Sequence, residues 1–318
     1  MRTIFRAACL FAAATLVTAC AASQSTNVAL PAQQSAARRA GHAPGDDLIY
    51  TGVKHAVQIF TYPDGSADGS FTIAGAVRAM CSDSSGNVFV GAETKTAGGN
   101  GGAVYEFAHG GTSPISTLAV PAHSVPMACS SDPTTGNLAV TYQDLKNFEP
   151  SVGVYAGASG SPIIYKSDDI GAEPQCAYDD AGNLLATSGG NVGAIIASGS
   201  SKFAKVTFDR LLGGVKHVQW DGSDFALQSF RPNHHNGDRL LEKVFRLQIS
   251  GSKGSVVGIS EFKNWPTKVS GSSWIDGGTI IGTPYAQIAF WNYPDGGKAT
   301  KVVNVSEHMA AVTISVGQ

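Results

Sequence analysis

Charge is scarce in this sequence. Only 14% of its 318 residues are Asp, Glu, Lys or Arg, and the formal net charge is −2. Binding to nucleic-acid phosphates needs a concentrated basic surface, so we exclude nucleic acid as a partner. The sequence also lacks a serine nucleophile elbow, a P-loop, a Gly-x-Gly-x-x-Gly that opens a helix, and a His-Glu-x-x-His motif. Enzyme classes built on those motifs are therefore not indicated.

Hydrophobic residues and glycine are abundant. Hydrophobic residues make up 43% of the chain, which is enough for a sizeable core and argues against global disorder. Glycine counts 38, and together with the low charge this indicates many short strands and tight turns rather than helices.

The N-terminus has the pattern of an export signal. Arg2 and Arg6 precede the apolar run Ala7–Val17, which is too short to span a bilayer. The run leads into Thr18-Ala19-Cys20, which resembles a bacterial lipobox. We expect lipidation at Cys20; an ordinary cleaved signal with an incidental cysteine is the alternative. An aspartate close after the cysteine would imply retention in the inner membrane of a Gram-negative cell, and Ala22, two residues after Cys20, is not an aspartate.

These features divide the chain into three parts. Residues 1–20 are predicted to be a lipoprotein signal peptide. Residues 21–45, rich in Ala, Ser, Gln and Pro, are predicted to be a flexible tether. Residues 46–318 form the predicted folded domain. We expect the protein in the bacterial cell envelope, lipid-anchored (in the outer membrane if Gram-negative) or secreted.

The rest of the chain repeats itself. Met80–Val90, Ala128–Val140 and Gln175–Ala186 each contain a short strand, an Asp, a Gly-Asn turn and a second apolar strand. Glycine supplies the positive φ of a tight turn, and the Asp can accept hydrogen bonds from turn amides. Val218–Leu227 and Ser273–Gly282 are weaker copies.

A second pattern follows each hairpin. Phe60–Gly65 closely matches Trp291–Gly296. The looser copies are Tyr105–Gly111, Val154–Gly160, Ile195–Gly199 and Phe245–Gly251. The copies recur at the spacing of a four-stranded propeller blade. We therefore predict an all-β, six-bladed β-propeller of four-stranded antiparallel blades.

The first unit lacks an inner strand. Asp47–Gly52 begins directly with a second strand, whereas Met309–Ser315 reads as an inner strand with no hairpin after it. We predict that this C-terminal strand joins the N-terminal blade and closes the ring, which would remove open sheet edges.

These residues resemble the six-bladed NHL-type and SMP-30-like propellers, through the inner strand, Asp, Gly-Asn and aliphatic strand of Cys176–Ala186. The chain is also similar to uncharacterised bacterial propeller lipoproteins. SMP-30-like enzymes hydrolyse lactones with a divalent metal held by carboxylate and amide oxygens. Here only Glu173 and Glu307 stand at the starts of inner strands, and the family's ligands are not matched position by position.

Residues just before the inner strands are the candidate ligand-binding positions, because inner strands start near one mouth of a propeller's channel. A longer loop, Ser229–Lys243, contributes two further histidines on the same side. The candidates are Arg78, His123, Glu173, His217, His234, His235, Lys268 and His308. The alternative is that exposed connecting loops simply tolerate charge.

Three cysteines of the predicted domain fall on consecutive inner strands: Cys81, Cys129 and Cys176. Buried packing is the first interpretation. A disulfide between two of them, with one thiol left over, is the second, since export permits oxidation. A thiolate metal site is the third, although no Cys-x-x-Cys spacing supports it.

The sequence therefore favours a monomeric, non-catalytic binding or interaction module for a small polar ligand or an envelope component. We predict no cofactor and no metal. A hydrolase of the lactonase or esterase type, acting at the propeller mouth, is the alternative.

Overall fold

The computed structural model describes residues 47–96, 99–232, 240–263, 271–305 and 307–317. Within these ranges the protein is all-β, with a single 3-10 turn at Ala156–Ala158 and no α-helix. We find there no helix with the length and apolar character that a membrane span requires. Cys20, the predicted signal peptide and the predicted tether lie outside the described residues.

The strands of the first half are short. They are β1 (Leu48–Val53), β2 (Ala56–Thr61), β3 (Ala67–Thr72), β4 (Ala76–Ser82), β5 (Val88–Thr96), β6 (Gly99–Phe107), β7 (Ser116–Leu118), β8 (Ser124–Ser131), β9 (Leu138–Asp144), β10 (Pro150–Tyr155) and β11 (Ile163–Tyr165).

The second half contains longer strands as well. They are β12 (Gln175–Tyr178), β13 (Leu184–Thr187), β14 (Gly189–Ile196), β15 (Ala204–Trp220), β16 (Phe225–Pro232), β17 (Leu240–Ser250), β18 (Lys253–Lys263), β19 (Ser273–Asp276), β20 (Thr279–Gly282), β21 (Gln287–Asn292), β22 (Gly296–Asn304) and β23 (Ala311–Ser315).

Consecutive strands pair into antiparallel sheets. Three sheets have four strands, in the orders β23-β1-β2-β3, β4-β5-β6-β7 and β8-β9-β10-β11. The remaining strands form one sheet of eleven, because the long strand β15 pairs with β14 at one end and with β16 at the other. Its first part, from Ala204, pairs with β14, and its last part, Gly214–Trp220, pairs with β16. A short parallel pairing of β18 with β22 joins strands β19, β20, β21 and β22 to this sheet.

The C-terminal strand pairs with the N-terminal one, as predicted. β23 lies antiparallel to β1, with Ala311 opposite Gly52 and Ser315 opposite Leu48. All five residues of β23 are buried. The strand begins two residues later than predicted, at Ala311 rather than Met309.

Each group of consecutively paired strands has one end strand that contacts the end strands of the neighbouring groups, and we call it an inner strand. The inner strands are β23, β4, β8, β12, the C-terminal part of β15, and β19. These strands contact one another in cyclic order, each with the next and β19 with β23. The apolar clusters lie between adjacent groups of strands; one combines Tyr50 and Val57 with Val77 and Val90. The sheets therefore pack face to face around the inner strands.

The predicted Gly-Asn turns form as expected. The carboxylate of Asp83 accepts hydrogen bonds from the backbone N–H of Asn87 at 2.9 Å and from its side-chain amide at 2.9 Å. Asp179 and Asn183 repeat both bonds, at 2.8 and 2.7 Å. Gly182 has a φ of +78°, the left-handed conformation that glycine adopts without strain. These bonds fix the hairpins that follow β4 and β12.

The predicted loop Ser229–Lys243 is shorter than the sequence suggested. β16 extends through Pro232, which pairs with Leu240 of β17. Ser229 and Lys243 face each other inside that ladder. The expectation was wrong because the antiparallel ladder continues beyond the apolar alternation that marked the strand. His234 and His235 lie outside the described residues.

Candidate functional site

Three inner strands carry a β-bulge near their starts. Register shifts fall between Val77 and Ala79 in β4, between Pro126 and Ala128 in β8, and between Val215 and His217 in β15. The residues left out of the ladders are Arg78, Met127 and Lys216. A bulge redirects the side chain of its extra residue, and all three line one cavity.

That cavity, which we call the basic mouth, lies at the starts of the inner strands and has a volume of about 240 Å³. Its lining brings together four of the predicted residues and the lysine beside one of them: Arg78, Glu173, Lys216, His217 and His308. Arg78 and His217 stand within strands β4 and β15, not before them as expected. The bulge explains the position of Arg78, because a bulged residue can face a channel mouth from inside a strand. His217 follows the bulged Lys216 and pairs with Gln228.

Two ion pairs sit at the basic mouth. Lys216 Nζ donates to Glu173 Oε2 at 3.4 Å, and Arg78 Nε donates to Glu93 Oε2 at 3.0 Å. The side chains of Arg78 and Glu173 are 50% and 65% exposed. Exposed pairs of this kind contribute little to stability, typically about 0–1 kcal/mol. A ligand with its own charges could therefore compete for these groups.

Glu173 is held by its backbone. Its φ is +53°, a left-handed conformation that non-glycine residues seldom adopt. Its N–H donates to Gln143 Oε1 at 2.9 Å, and its carbonyl accepts from the Gln175 side-chain amide at 3.4 Å. These hydrogen bonds fix the backbone of Glu173 in a loop, and the loop therefore sets the direction of its side chain.

His217 is the buried group of the site. It is 9% exposed, and its Nε2 has no hydrogen-bond partner among the described residues. Its ring lies 6.1 Å from that of Trp274, centroid to centroid. Burial disfavours the imidazolium and lowers the pKa of His217 to about 4. His217 is therefore neutral at physiological pH.

The other candidates are placed differently. His308 is exposed and lies edge-on to Tyr285, with centroids 5.7 Å apart. His123 is outside the lining of the basic mouth; its φ is +60° and its carbonyl accepts from Leu145 N–H at 2.9 Å. Lys268 lies outside the described residues. The structure thus gathers Arg78, Glu173, His217 and His308, and leaves His123 aside.

The cysteines form a disulfide. Cys81 of β4 is bonded to Cys129 of β8, with Cα atoms 5.7 Å apart. Simple packing, the first interpretation, is thus wrong for this pair, because neighbouring inner strands bring the two side chains within bonding distance. Cys176 is a buried free thiol. Burial raises its pKa to about 12, so it is unreactive.

A second cavity, which we call the acidic mouth, lies at the ends of the inner strands and has a volume of about 490 Å³. It shares His217 and Cys129 with the basic mouth. The side chains that define its chemistry are Asp83, Tyr178, Asp180, Trp220, Trp274 and Asp276. Sequence reasoning missed it, although its residues cluster at the hairpin turns of the repeat. That clustering was the available signal.

No three His, Cys, Asp or Glu side chains among the described residues converge in a geometry that could hold a metal ion. The titratable side chains of the basic mouth are one carboxylate, two histidines and two cationic groups. This arrangement can orient a polar molecule through hydrogen bonds and charge.

Comparison with solved structures identifies the fold. A protein of unknown function from Bacteroides caccae superposes with a TM-score of 0.61 at 11% identity, over 86% of this chain and 99% of that chain. A chain of the nidogen/laminin complex superposes with a TM-score of 0.62 at 10% identity, over the same shares. The second is a β-propeller. This protein is a β-propeller too.

Sequence comparisons add nothing further: no family model matches the chain, and no curated protein does. At 10–11% identity the structural likeness shows the fold alone. The predicted propeller is thereby confirmed at the level of fold, and function has to be argued from the two mouths.

Proposed function

We propose that this protein is an exported, lipid-anchored β-propeller of six blades that binds a small polar ligand at the basic mouth without transforming it. The observation that carries the proposal is the convergence of Arg78, Glu173, Lys216, His217 and His308 on one cavity. They come from separate inner strands and the loops before them. Ligand sites favour such concave positions with a few convergent polar groups.

The strand pairing supports six blades. Three four-stranded sheets are separate, and the eleven-stranded sheet divides into three blades if β15 serves two of them. Its first part would be the outer strand of one blade, and Gly214–Trp220 the inner strand of the next. The cyclic contacts of the inner strands fit a closed ring of that size. The NHL-type and SMP-30-like resemblance agrees with this number.

The chemistry of the basic mouth favours a ligand with both acceptor and donor groups. Arg78 and Lys216 provide cationic donors, and Glu173 provides a carboxylate acceptor. His308 is exposed at the rim, and His217 closes the floor. A small carboxylic acid, amino acid or sugar acid combines the groups that this set would recognise.

No observation favours the lactonase or esterase alternative over binding. Within the described ranges the carboxylate and histidine groups do not assemble into a metal-holding set. Glu173 pairs with Lys216, whose ammonium group neutralises its carboxylate. We therefore retain the binding module as the proposed function.

The test begins with a thermal-shift screen of the purified protein against small carboxylic acids, amino acids, sugars and sugar acids. Hits are then titrated by calorimetry against Arg78→Gln and Lys216→Gln. Loss of one charge-assisted hydrogen bond should weaken binding about tenfold. The matched control is Lys202→Gln, which removes an exposed lysine from a turn away from both mouths.

Two results would overturn the proposal. If Lys202→Gln weakens every hit as much as the two mouth variants do, the ligand does not bind at the basic mouth. If the bound compound is hydrolysed, and Glu173→Ala or His217→Ala abolishes the hydrolysis, the protein is an enzyme. Binding that survives in Lys202→Gln, falls in the mouth variants and proceeds without turnover supports the module.

A further inference from the structure

The acidic mouth is a second concave site at the opposite end of the inner strands. Its volume of about 490 Å³ is within the range of small-molecule sites. It lies where the inner strands end: Ser82 ends β4, Asp83 and Ser84 follow it, and Asp276 ends β19. None of the residues proposed for the first site lines it, apart from His217.

Its charge is of one sign. Asp83, Asp180 and Asp276 line the cavity, and no lysine or arginine does so among the residues that the structure describes. Asp83 already accepts bonds from Ser85 and Asn87 in its turn. Asp180 is exposed. Carboxylates in a cleft attract cations and disfavour anions.

Aromatic rings accompany these carboxylates. Trp220, Trp274 and Tyr178 all line the cavity. Trp220 is partly exposed and packs edge-on against Phe225, with centroids 5.1 Å apart. An ammonium group over the face of an aromatic ring is stabilised by the ring quadrupole, most strongly over tryptophan. Apolar substituents on the nitrogen would also contact the rings.

His217 supplies an independent indication of a ligand. The ring is nine-tenths buried and lines the cavity, and its Nε2 has no hydrogen-bond partner within the part of the chain that the structure describes. Buried polar atoms are rarely left unsatisfied unless a ligand or water completes them. Because burial keeps this imidazole neutral, it adds no positive charge to oppose a cation.

We propose that the acidic mouth binds a small organic ammonium cation, held by its carboxylates and its tryptophan and tyrosine rings. This site is separate from the basic mouth and goes beyond the function proposed there. One propeller channel would then present two chemically opposite ends, one for polar molecules with acidic groups and one for cations.

The test uses choline and its uncharged isostere 3,3-dimethylbutan-1-ol, titrated into the full-length protein by calorimetry and by tryptophan fluorescence. The two probes have the same shape and differ in charge. We expect choline to bind at least about tenfold more tightly than the alcohol. Equal affinity for both probes would overturn the proposal, and so would the absence of choline binding at millimolar concentration.

Variants locate the site. Asp180→Asn should weaken choline binding about fivefold, the effect of one partly screened charge. Its matched control is Asp168→Asn, an exposed aspartate of the loop before β12, outside the lining of either mouth. Both positions are exposed, so neither change should disturb folding. Equal effects of the two variants would refute the assignment.

A third variant separates this site from the first. Arg78→Gln should leave choline binding unchanged while it weakens ligands of the basic mouth. Loss of choline binding in Arg78→Gln would place the cation at the basic mouth and overturn the inference. Tighter binding of a neutral disaccharide than of choline would overturn it too, because a sugar would then be the better fit to the aromatic rings.

Discussion

The imidazole of His217 packs against the indole of Trp274, with centroids 6.1 Å apart, and its buried Nε2 finds no hydrogen-bond partner in the described ranges. His217 lies where the two mouths meet, since it lines both cavities, and Trp274 lines the acidic mouth. The pKa of His217 is lowered by burial to about 4, from 6.5 in the unfolded chain. The unfolded chain therefore binds this proton more tightly than the folded protein does.

The consequence is a specific acid sensitivity. Between about pH 6.5 and pH 4 the unfolded state takes up the proton first, so the free energy of unfolding falls as the pH falls. From pH 7.5 to pH 4.5 this group should remove about 2.5 kcal/mol. The variant His217→Phe has no titrating group at this position. Over the same pH range its free energy of unfolding should therefore fall by about 2.5 kcal/mol less than that of the parent. Urea denaturation at the two pH values measures the difference.

The matched control for that prediction is His308→Phe, because His308 is exposed. It should lose as much stability on acidification as the unsubstituted protein. At pH 7.5, His217→Phe should be as stable as the parent or up to about 1 kcal/mol more stable, since it removes an unpaired buried polar atom. A parallel acid response of the parent and His217→Phe would contradict the assignment.

Local turn chemistry made the fold readable from sequence. The Asp83 and Asn87 pattern predicts a hairpin whose bonds do not depend on the rest of the protein, and the same pattern recurs at Asp179 and Asn183. Repetition of such hairpins gives the blade. The strand near the C-terminus had no hairpin partner of its own, and the first unit lacked an inner strand, so the sequence predicted the pairing with β1 that the structure contains.

The site was less predictable because it depends on register and on distances between strands. Arg78 and Lys216 enter the basic mouth through bulges, which are defined by the partner strand and leave no mark in the single sequence. The bond between Cys81 and Cys129 required neighbouring inner strands 5.7 Å apart at Cα.

The disulfide should stabilise the protein substantially. Cys81 and Cys129 are 48 residues apart, and closing a loop of that length in the unfolded chain is worth about 4 kcal/mol in the chain-entropy model. The double variant Cys81→Ala/Cys129→Ala should lose about that much free energy of unfolding. Dithiothreitol should destabilise the parent by the same amount and leave the double variant unaffected.

Cys176→Ala is the matched control for the disulfide. It removes the buried free thiol and should lose only about 1 kcal/mol, while it keeps the full response to dithiothreitol. If dithiothreitol has no effect on the parent, the pair is not bonded in the protein. If it destabilises the double variant equally, the reductant acts elsewhere.

The lipid anchor is tested at the N-terminal cysteines. Lipidation at Cys20 predicts that Cys20→Ala abolishes incorporation of an alkyne fatty acid and moves the protein out of the membrane fraction. Multiple acyl chains anchor firmly, since each buried CH₂ contributes about 0.8 kcal/mol. Cys9→Ala, which changes the other cysteine of the segment, should retain label and location. Label that persists in Cys20→Ala, or a soluble parent protein, would disprove the anchor.

Pairing of β23 with β1 should decide whether the ring folds as one unit. Val312 is fully buried in β23, and Ser82 Oγ donates to the Ile314 carbonyl at 2.6 Å, so the strand ties β1 to β4. Val312→Asp places a carboxylate in that core and should lose at least about 3 kcal/mol. Val302→Asp, at a valine 48% exposed on β22, should change stability by about 0.5 kcal/mol or less.

Deletion of residues 309–318 should abolish the cooperative transition in guanidinium chloride. A deleted protein that still unfolds cooperatively would show that the propeller does not need the strand β23 to fold.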